Sequence, residues 1–156
     1  MPKISSGLLM YKFANSELKV FLVHPGGPFW KNKDEGAWSV PKGEVEENED
    51  FLDTAKREFS EEVGFIPESD NFIPLGEVVQ KSGKIVHCWA FQGDWSGLLM
   101  TSSFVTIEYP VKSGKFIKIP EIDKAQFFPI QEARKKINPS QKNFLDRLEA
   151  ILQSSI

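Results

Sequence analysis

Cysteine is nearly missing from this sequence of 156 residues, with Cys88 the only one. An internal disulfide and a multi-thiolate metal site are therefore excluded, and the chain suits a reducing compartment. Histidine is almost as scarce: His24 and His87 share neither a metal-ligand nor a triad spacing, so both read as locally satisfied structural residues. No apolar stretch approaches the ~18 residues of a membrane span. The first seven residues carry one lysine and no long apolar run after it, which predicts no signal peptide and, with the single cysteine, a cytoplasmic protein. Positive charge is short as well, since 19 Lys and Arg face 22 Asp and Glu for a net charge of -3. Such a chain has no basic field to hold nucleic acid by its phosphates alone, so a phosphate-bearing ligand needs a local device, a metal ion or a few placed cations. Repeats, low-complexity tracts and linkers are lacking too.

What is present is a globular composition, 40% hydrophobic, 26% charged and 12% aromatic. The length predicts one domain over 1–156, burying roughly 70% of its unfolded surface. Apolar, β-prone runs at Ser6–Phe13 and Leu18–His24 flank Ala14-Asn15-Ser16-Glu17, a hairpin turn. A Pro/Gly-rich loop from His24 to Gly36 follows, of a length more often functional than ornamental. Ala37–Val40 reads as a short strand that Pro41-Lys42-Gly43 breaks. Asn48–Val63 is the clearest helix: Asn48 is the expected N-cap, Phe51, Ala55, Phe59 and Val63 form an apolar stripe, and Gly64 stops it. Further strands are expected at Phe72–Lys81, Lys84–Phe91, Phe104–Tyr109 and Gln126–Ile130, with Ser82-Gly83 turning between the first two. A short helix over Gln131–Ile137 precedes a C-terminal one opened by Pro139, with Phe144, Leu148 and Ile151 along its apolar face. The fold class is α/β: a mixed sheet with helices on both faces.

The chemistry collects at the end of the first helix. Glu58, Glu61 and Glu62 stand at i, i+3 and i+4, so their carboxylates project together. An arbitrary acidic triplet of this kind is usually a solvated face. Here it adjoins the apolar stripe, at the edge of a core where a groove can form. Oxygen-only clusters suit Mg²⁺ or Mn²⁺, and the tight Pro41-Lys42-Gly43-Glu44 loop can bring a carbonyl and a lysine to the same spot.

The segment Gly43–Phe65 resembles the Nudix box, G-x5-E-x7-R-E-U-x-E-E-x-G-U with U a bulky apolar residue. Gly43, Glu49, Arg57, Glu58, Glu61, Glu62 and Gly64 fill every fixed position, and Phe59 and Phe65 fill the apolar ones. The box covers 23 of 156 residues, and the order of strands and helices around it also suits the Nudix fold, an α/β/α sandwich. The resemblance implies that Glu58, Glu61 and Glu62 ligate Mg²⁺, with Mn²⁺ as a substitute, and that the Gly43 carbonyl adds a ligand. It implies that Glu49 and Arg57 form an ion pair supporting the catalytic loop, and that a carboxylate takes the proton from the attacking water. Glu61 and Glu62 are candidates for that role, as are Glu108 and Glu121 outside the box.

Nudix enzymes hydrolyse a nucleoside diphosphate linked to another group. A Pro-Lys-Gly entry is similar to members acting on dinucleoside polyphosphates, diphosphoinositol polyphosphates and RNA 5′ ends, where relatives that clean nucleoside triphosphates usually have Gly in place of Lys42. The Tyr often found about seventeen residues past the box in dinucleoside enzymes is absent around Gln80-Lys81-Ser82, as is the Pro that suggests ADP-ribose cleavage. The expected activity is hydrolysis of a dinucleoside polyphosphate or related nucleotide. RNA 5′-pyrophosphohydrolysis and a non-catalytic nucleotide sensor are the alternatives, and an RNA 5′ end is the one nucleic-acid partner the charge balance admits. Lys42 reads as a phosphate contact or a solvated loop lysine. Trp30 reads equally as a base-stacking residue or a surface one, and Trp38 as core ahead of stacking. Nothing in the sequence sets an oligomeric state.

Overall fold

Two long apolar strands organise the molecule in the computed structural model, which describes residues 3–154; Met1 and Pro2 of the N-terminal reading lie outside it. Strands β1 (Ile4–Ala14) and β2 (Glu17–Pro25) are apolar on both faces because both faces of their sheet are covered. Leu9, Tyr11, Val20 and Leu22 point to one side, and Leu8, Met10, Phe21 and Val23 to the other. Asn15 and Ser16 turn between them with φ of 54° and 64°, the left-handed pair of a two-residue hairpin loop.

The sheet runs β4-β5-β1-β2-β8, built also from β4 (Ile73–Val79), β5 (Ile85–Gln92) and β8 (Ile122–Pro129). Strand β1 lies parallel to β5 and antiparallel to β2, so the sheet is mixed. Along one edge β1 changes partner: Tyr11–Ala14 pair with β2, whereas Ser5–Gly7 pair with β3 (Lys42–Glu44). That exchange opens a cleft at the mouth of the sheet. The short strand sits where Pro41-Lys42-Gly43 was expected to end one. Ala37–Val40, the segment expected as a strand, makes only isolated bridges, Val23 to Ser39 and Trp38 to Ile137. Three residues are too few to show a period in the sequence, and the free edge of β1 is what makes them a strand.

Helix α1 (Phe51–Val63) packs Ala55, Phe59 and Val63 against Leu8, Met10 and Phe21. Its N-cap is Asp50 rather than Asn48: the Asp50 carboxylate accepts from the Leu52 and Asp53 amides at 2.9 and 3.2 Å. Asn48 stands two residues earlier in the left-handed region, φ 65°, a conformation Asn tolerates. Gly64 ends the helix as expected, with φ 100°. On the opposite face, α2 (Ile130–Lys136), a 3₁₀ turn (Pro139–Gln141) and α3 (Lys142–Ser154) bury Ala133, Phe144, Leu145 and Leu148 against the other core. Among the described residues no helix is long and apolar enough to cross a membrane.

Two further strands depart from expectation. β8 begins at Ile122, four residues before Gln126, and β7 (Phe116–Pro120) was not foreseen. β7 pairs with β6 (Phe104–Glu108) as a separate two-stranded ribbon. Its first root docks on the end of α1, where Ser102 N donates to Glu61 O at 2.7 Å and Met100 N to Val63 O at 3.2 Å. Its second root is Glu121, whose amide donates to Ser103 O at 2.9 Å and whose carbonyl accepts from Gly26 N at 2.9 Å.

Candidate active site

Gly43 and the last two turns of α1 face each other across this cleft. A Cβ at residue 43 would overlap the Glu58 carboxylate, so with glycine here Glu58 can lie directly over the strand, and any other residue would push that carboxylate aside. Arg57 holds the loop between them. Its Nε and Nη2 donate to the two oxygens of Glu49 at 2.9 and 3.0 Å, and its Nη1 donates to Glu58 at 2.9 Å and to Glu61 at 3.3 Å. The two-pronged contact with Arg57 lowers the Glu49 pKa to about 2.

The three box carboxylates divide. Glu61 is turned toward Arg57 and its side chain is 42% exposed. Glu58 lines the cleft while also accepting from Arg57, and Glu62, only 4% exposed, lines it with no contact to Arg57. Burial, and then the charges of Glu58 and Glu121, push the Glu62 pKa well above the usual carboxylate range. Burial raises Glu58 too, against the pull of Arg57. Lys42 is half-buried above them, and its amide donates to Glu62. Its ammonium pKa falls to about 8, first through burial and then through the neighbouring Lys84, while Glu62 and Glu121 oppose the fall.

A pocket of about 300 Å³ opens here, lined by Lys42, Glu62, Glu121, Trp30 and Gln80 among others. A second of about 620 Å³ adjoins it, sharing Lys42 and Glu121 and adding Gly43, Glu58 and Lys84. Glu121, at the corner between ribbon and sheet, thus joins the box residues. Trp30 does as well, 40% exposed at the pocket wall with the Lys33 ammonium 5.0 Å from its ring centre. Two candidates leave the set. Glu108 accepts from the Lys112 and Gly114 amides at 3.1 and 3.0 Å, closing the turn of its own hairpin. Trp38 is 5% exposed, its ring against Phe128 and its Nε1 donating to Asp34 at 2.8 Å, so it belongs to the core. Sequence reasoning missed Gln80 and Lys84, which lie in the β4–β5 turn with no motif to mark them. His24 is structural: it is buried, its ring nitrogens meeting Asp123 at 2.8 Å and the Lys33 carbonyl at 2.6 Å, which pins the long loop behind Trp30. His87 stacks on Phe51. Cys88 is a buried thiol with its pKa pushed up by burial.

Among the described residues no three Asp, Glu, His or Cys side chains converge closely enough to enclose a metal ion. In kind, the donors fit a hard divalent cation. They are oxygens only, and Glu62 is buried against two further carboxylates with no arginine of its own.

A sheet clasped between α1 and the α2–α3 pair, with such a cleft at its mouth, is the architecture of a diphosphate-processing family. The family model for the NUDIX domain matches residues 3–148, and the chain belongs to the Nudix family. No curated protein matches it in sequence. Among solved structures, it is similar to a Caenorhabditis elegans Ap4A hydrolase in a binary complex, with a TM-score of 0.69 at 18% identity, covering 96% of this chain and 98% of that one. It is similar to the NUDIX domain of Shewanella oneidensis NrtR complexed with ADP ribose, with a TM-score of 0.67 at 14% identity over 97% and 89%. A mutT/nudix family protein from Listeria innocua gives 0.62 at 19% identity over 99% and 97%. At these identities the likeness is one of fold.

Proposed function

We propose that this chain is a Mg²⁺-dependent hydrolase of the diphosphate linkage in nucleoside diphosphate derivatives, with dinucleoside polyphosphates as its substrate class. The observation that carries this reading is Glu62, buried beside Glu58 and Glu121 at the wall of a pocket that also presents Lys42. A cation-seeking group and an anion-seeking one side by side match a metal-bound phosphate chain. Glu58, Glu61, Glu62 and the Gly43 carbonyl are the residues that hold the ion, Glu61 by swinging from Arg57. The bound ion supplies Lewis acidity, drawing charge from the phosphoryl oxygens and making water a better nucleophile.

The chain's own residues do the rest. Lys42 holds a phosphate oxygen beside the carboxylates. Arg57, tied to Glu49, is a positioning residue that keeps the Gly43 strand in register with α1. Glu121 has no hydrogen bond or ion pair through its carboxylate among the described residues, and it takes the proton as water adds to phosphorus and the P–O–P bridge breaks. Trp30 offers an aromatic face for a base. The C. elegans neighbour, described as an Ap4A hydrolase, supports this substrate class by its fold.

The test is product analysis with Mg²⁺ on diadenosine tetraphosphate, a nucleoside triphosphate, ADP-ribose, a nucleotide sugar and a 5′-triphosphorylated RNA, with Glu62→Gln as the blank. Selective cleavage of the dinucleoside polyphosphate is the expected result. Preference for the RNA would move the substrate to transcript ends. Metal-dependent binding with no cleavage of any member would make the protein a nucleotide sensor.

A further inference from the structure

We propose that Lys84 and Lys42 together form a polyphosphate-binding subsite, which takes the phosphates beyond the one held at the carboxylates and so selects ligands with three or more in a chain. As a statement about substrate choice this rests on the function proposed above; as a statement about anion binding it stands alone.

Lys84 closes the β4–β5 turn, and its backbone is fixed. Gln80 N donates to Lys84 O at 2.8 Å, Gly83 N to Gln80 O at 2.8 Å, and the next amide, Ile85 N, to Lys3 O at 2.9 Å. From there the half-buried side chain enters the larger cavity and meets Lys42. Neither lysine forms an ion pair with a carboxylate within 4 Å among the described residues. Two ammonium groups this close repel, and in a partly desolvated cleft the repulsion is poorly screened. A ligand with several negative charges removes the penalty; a single carboxylate does so only in part.

The acidic side of the cavity does not cancel the pair. Of the five carboxylates lining it, Glu44 is engaged by Lys3 at 3.6 Å, Glu46 lies 3.8 Å from Arg57, Glu58 accepts from Arg57 at 2.9 Å and Glu47 is exposed to solvent; Glu121 faces Lys42 without reaching ion-pair distance, so among the described residues Lys84 is the cation with no carboxylate acting against it. Lys42 is thus the residue between, acted on by Glu62 and by Lys84, while Glu62 and Lys84 do not act on each other. A chain with one phosphate at the carboxylates reaches the lysines with its next ones. Lys81, in the same turn but outside the cavity lining, provides an internal control.

The experiment is calorimetric binding of inorganic tripolyphosphate, with chelator present and ionic strength fixed, to the wild type and to Lys84→Ala, Lys84→Arg and Lys81→Ala. Lys84→Ala should weaken binding about ten-fold, the scale of one charge-assisted contact. Lys84→Arg should stay within about three-fold, and Lys81→Ala should match the wild type. No tripolyphosphate binding by the wild type, or equal losses in Lys84→Ala and Lys81→Ala, overturns the subsite. In the hydrolysis assay, Lys84→Ala should raise KM for diadenosine tetraphosphate about ten-fold more than KM for ADP-ribose, with kcat less affected; equal rises overturn the selection. Should the wild type cleave nothing while tripolyphosphate binding still depends on Lys84, the hydrolase reading falls and the subsite remains.

Discussion

Glu49 and Glu62 belong to the same motif and lie one helix apart, yet the fold treats them oppositely. Glu49 receives both prongs of Arg57 and titrates near 2. Glu62 is buried, faces Glu58 and Glu121, and resists ionisation. A carboxylate whose cation comes from its own chain serves structure. One buried without such a cation is an unbalanced charge the fold tolerates, and residues of that kind gather where a ligand completes the balance. The contrast separates the internally paired part of the box from the part left for a ligand.

The largest effect should come from removing the unbalanced charge. Glu62→Gln should lower kcat by about 100-fold or more, since even partners that only orient metal ligands cost 10–100-fold. Without metal, at pH 8, the same variant should melt about 2–4 °C higher, the shift of ~1 kcal/mol in a chain of this size, because a carboxyl that ionises less readily folded than unfolded costs stability at that pH. Mg²⁺ should raise the melting point of the wild type and not of the variant. Near-normal turnover, or a lower metal-free midpoint, would erase the distinction drawn here.

Arg57→Ala comes next, with a loss of ~2 kcal/mol in thermal or urea unfolding as hydrogen bonds to charged partners disappear. Arg57→Lys should recover less than half of this, since an ammonium cannot match the two-pronged geometry; full recovery would mean that only net charge matters. Asp50→Ala should cost ~1 kcal/mol, whereas Asn48→Gly should cost little, a pair of melts that separates the real cap from the expected one. The mildest effect is in acid. The folded pKa of Glu49 lies below its unfolded value near 4.5, so its stabilisation is complete above that pH and fades as pH falls toward 2. Melting points from pH 6 to 3 should decline more gently in Glu49→Gln than in the wild type; parallel curves would show that the pair adds no stability.

Much of this was legible in the sequence because it is local. The α1 stripe, its glycine stop and the spacing of the box residues depend on neighbours within a turn or two, and periodicity reports them directly. The cap was misplaced by two residues because Asn48 and Asp50 are both good caps, and only the backbone decides which oxygen reaches the first amides. β7 went unseen although β6, its equally exposed partner, was expected: β7 is five residues ending on Pro120, and a proline within a short run argues against a strand. Glu121 and Glu108 looked alike as candidates. The corner between β7 and β8 carries one to the cleft, while the turn amides of its own hairpin occupy the other. Lys84 reaches Lys42 only through the tertiary fold, which places the start of β5 and β3 at opposite edges of β1.

The two ends of the β6–β7 ribbon adjoin where they meet the body of the molecule, joined by the hydrogen bond from Glu121 N to Ser103 O. A segment with such adjoining ends behaves as a cassette. It can be shortened, lengthened or exchanged at little entropic penalty, because the closure is already made by the scaffold. Its neighbours in the long loop are the Phe29 ring, which meets Tyr109 of the hairpin, and Gly27, against which Ile119 packs. One hairpin can therefore be traded for another while the carboxylates on α1 stay where they are.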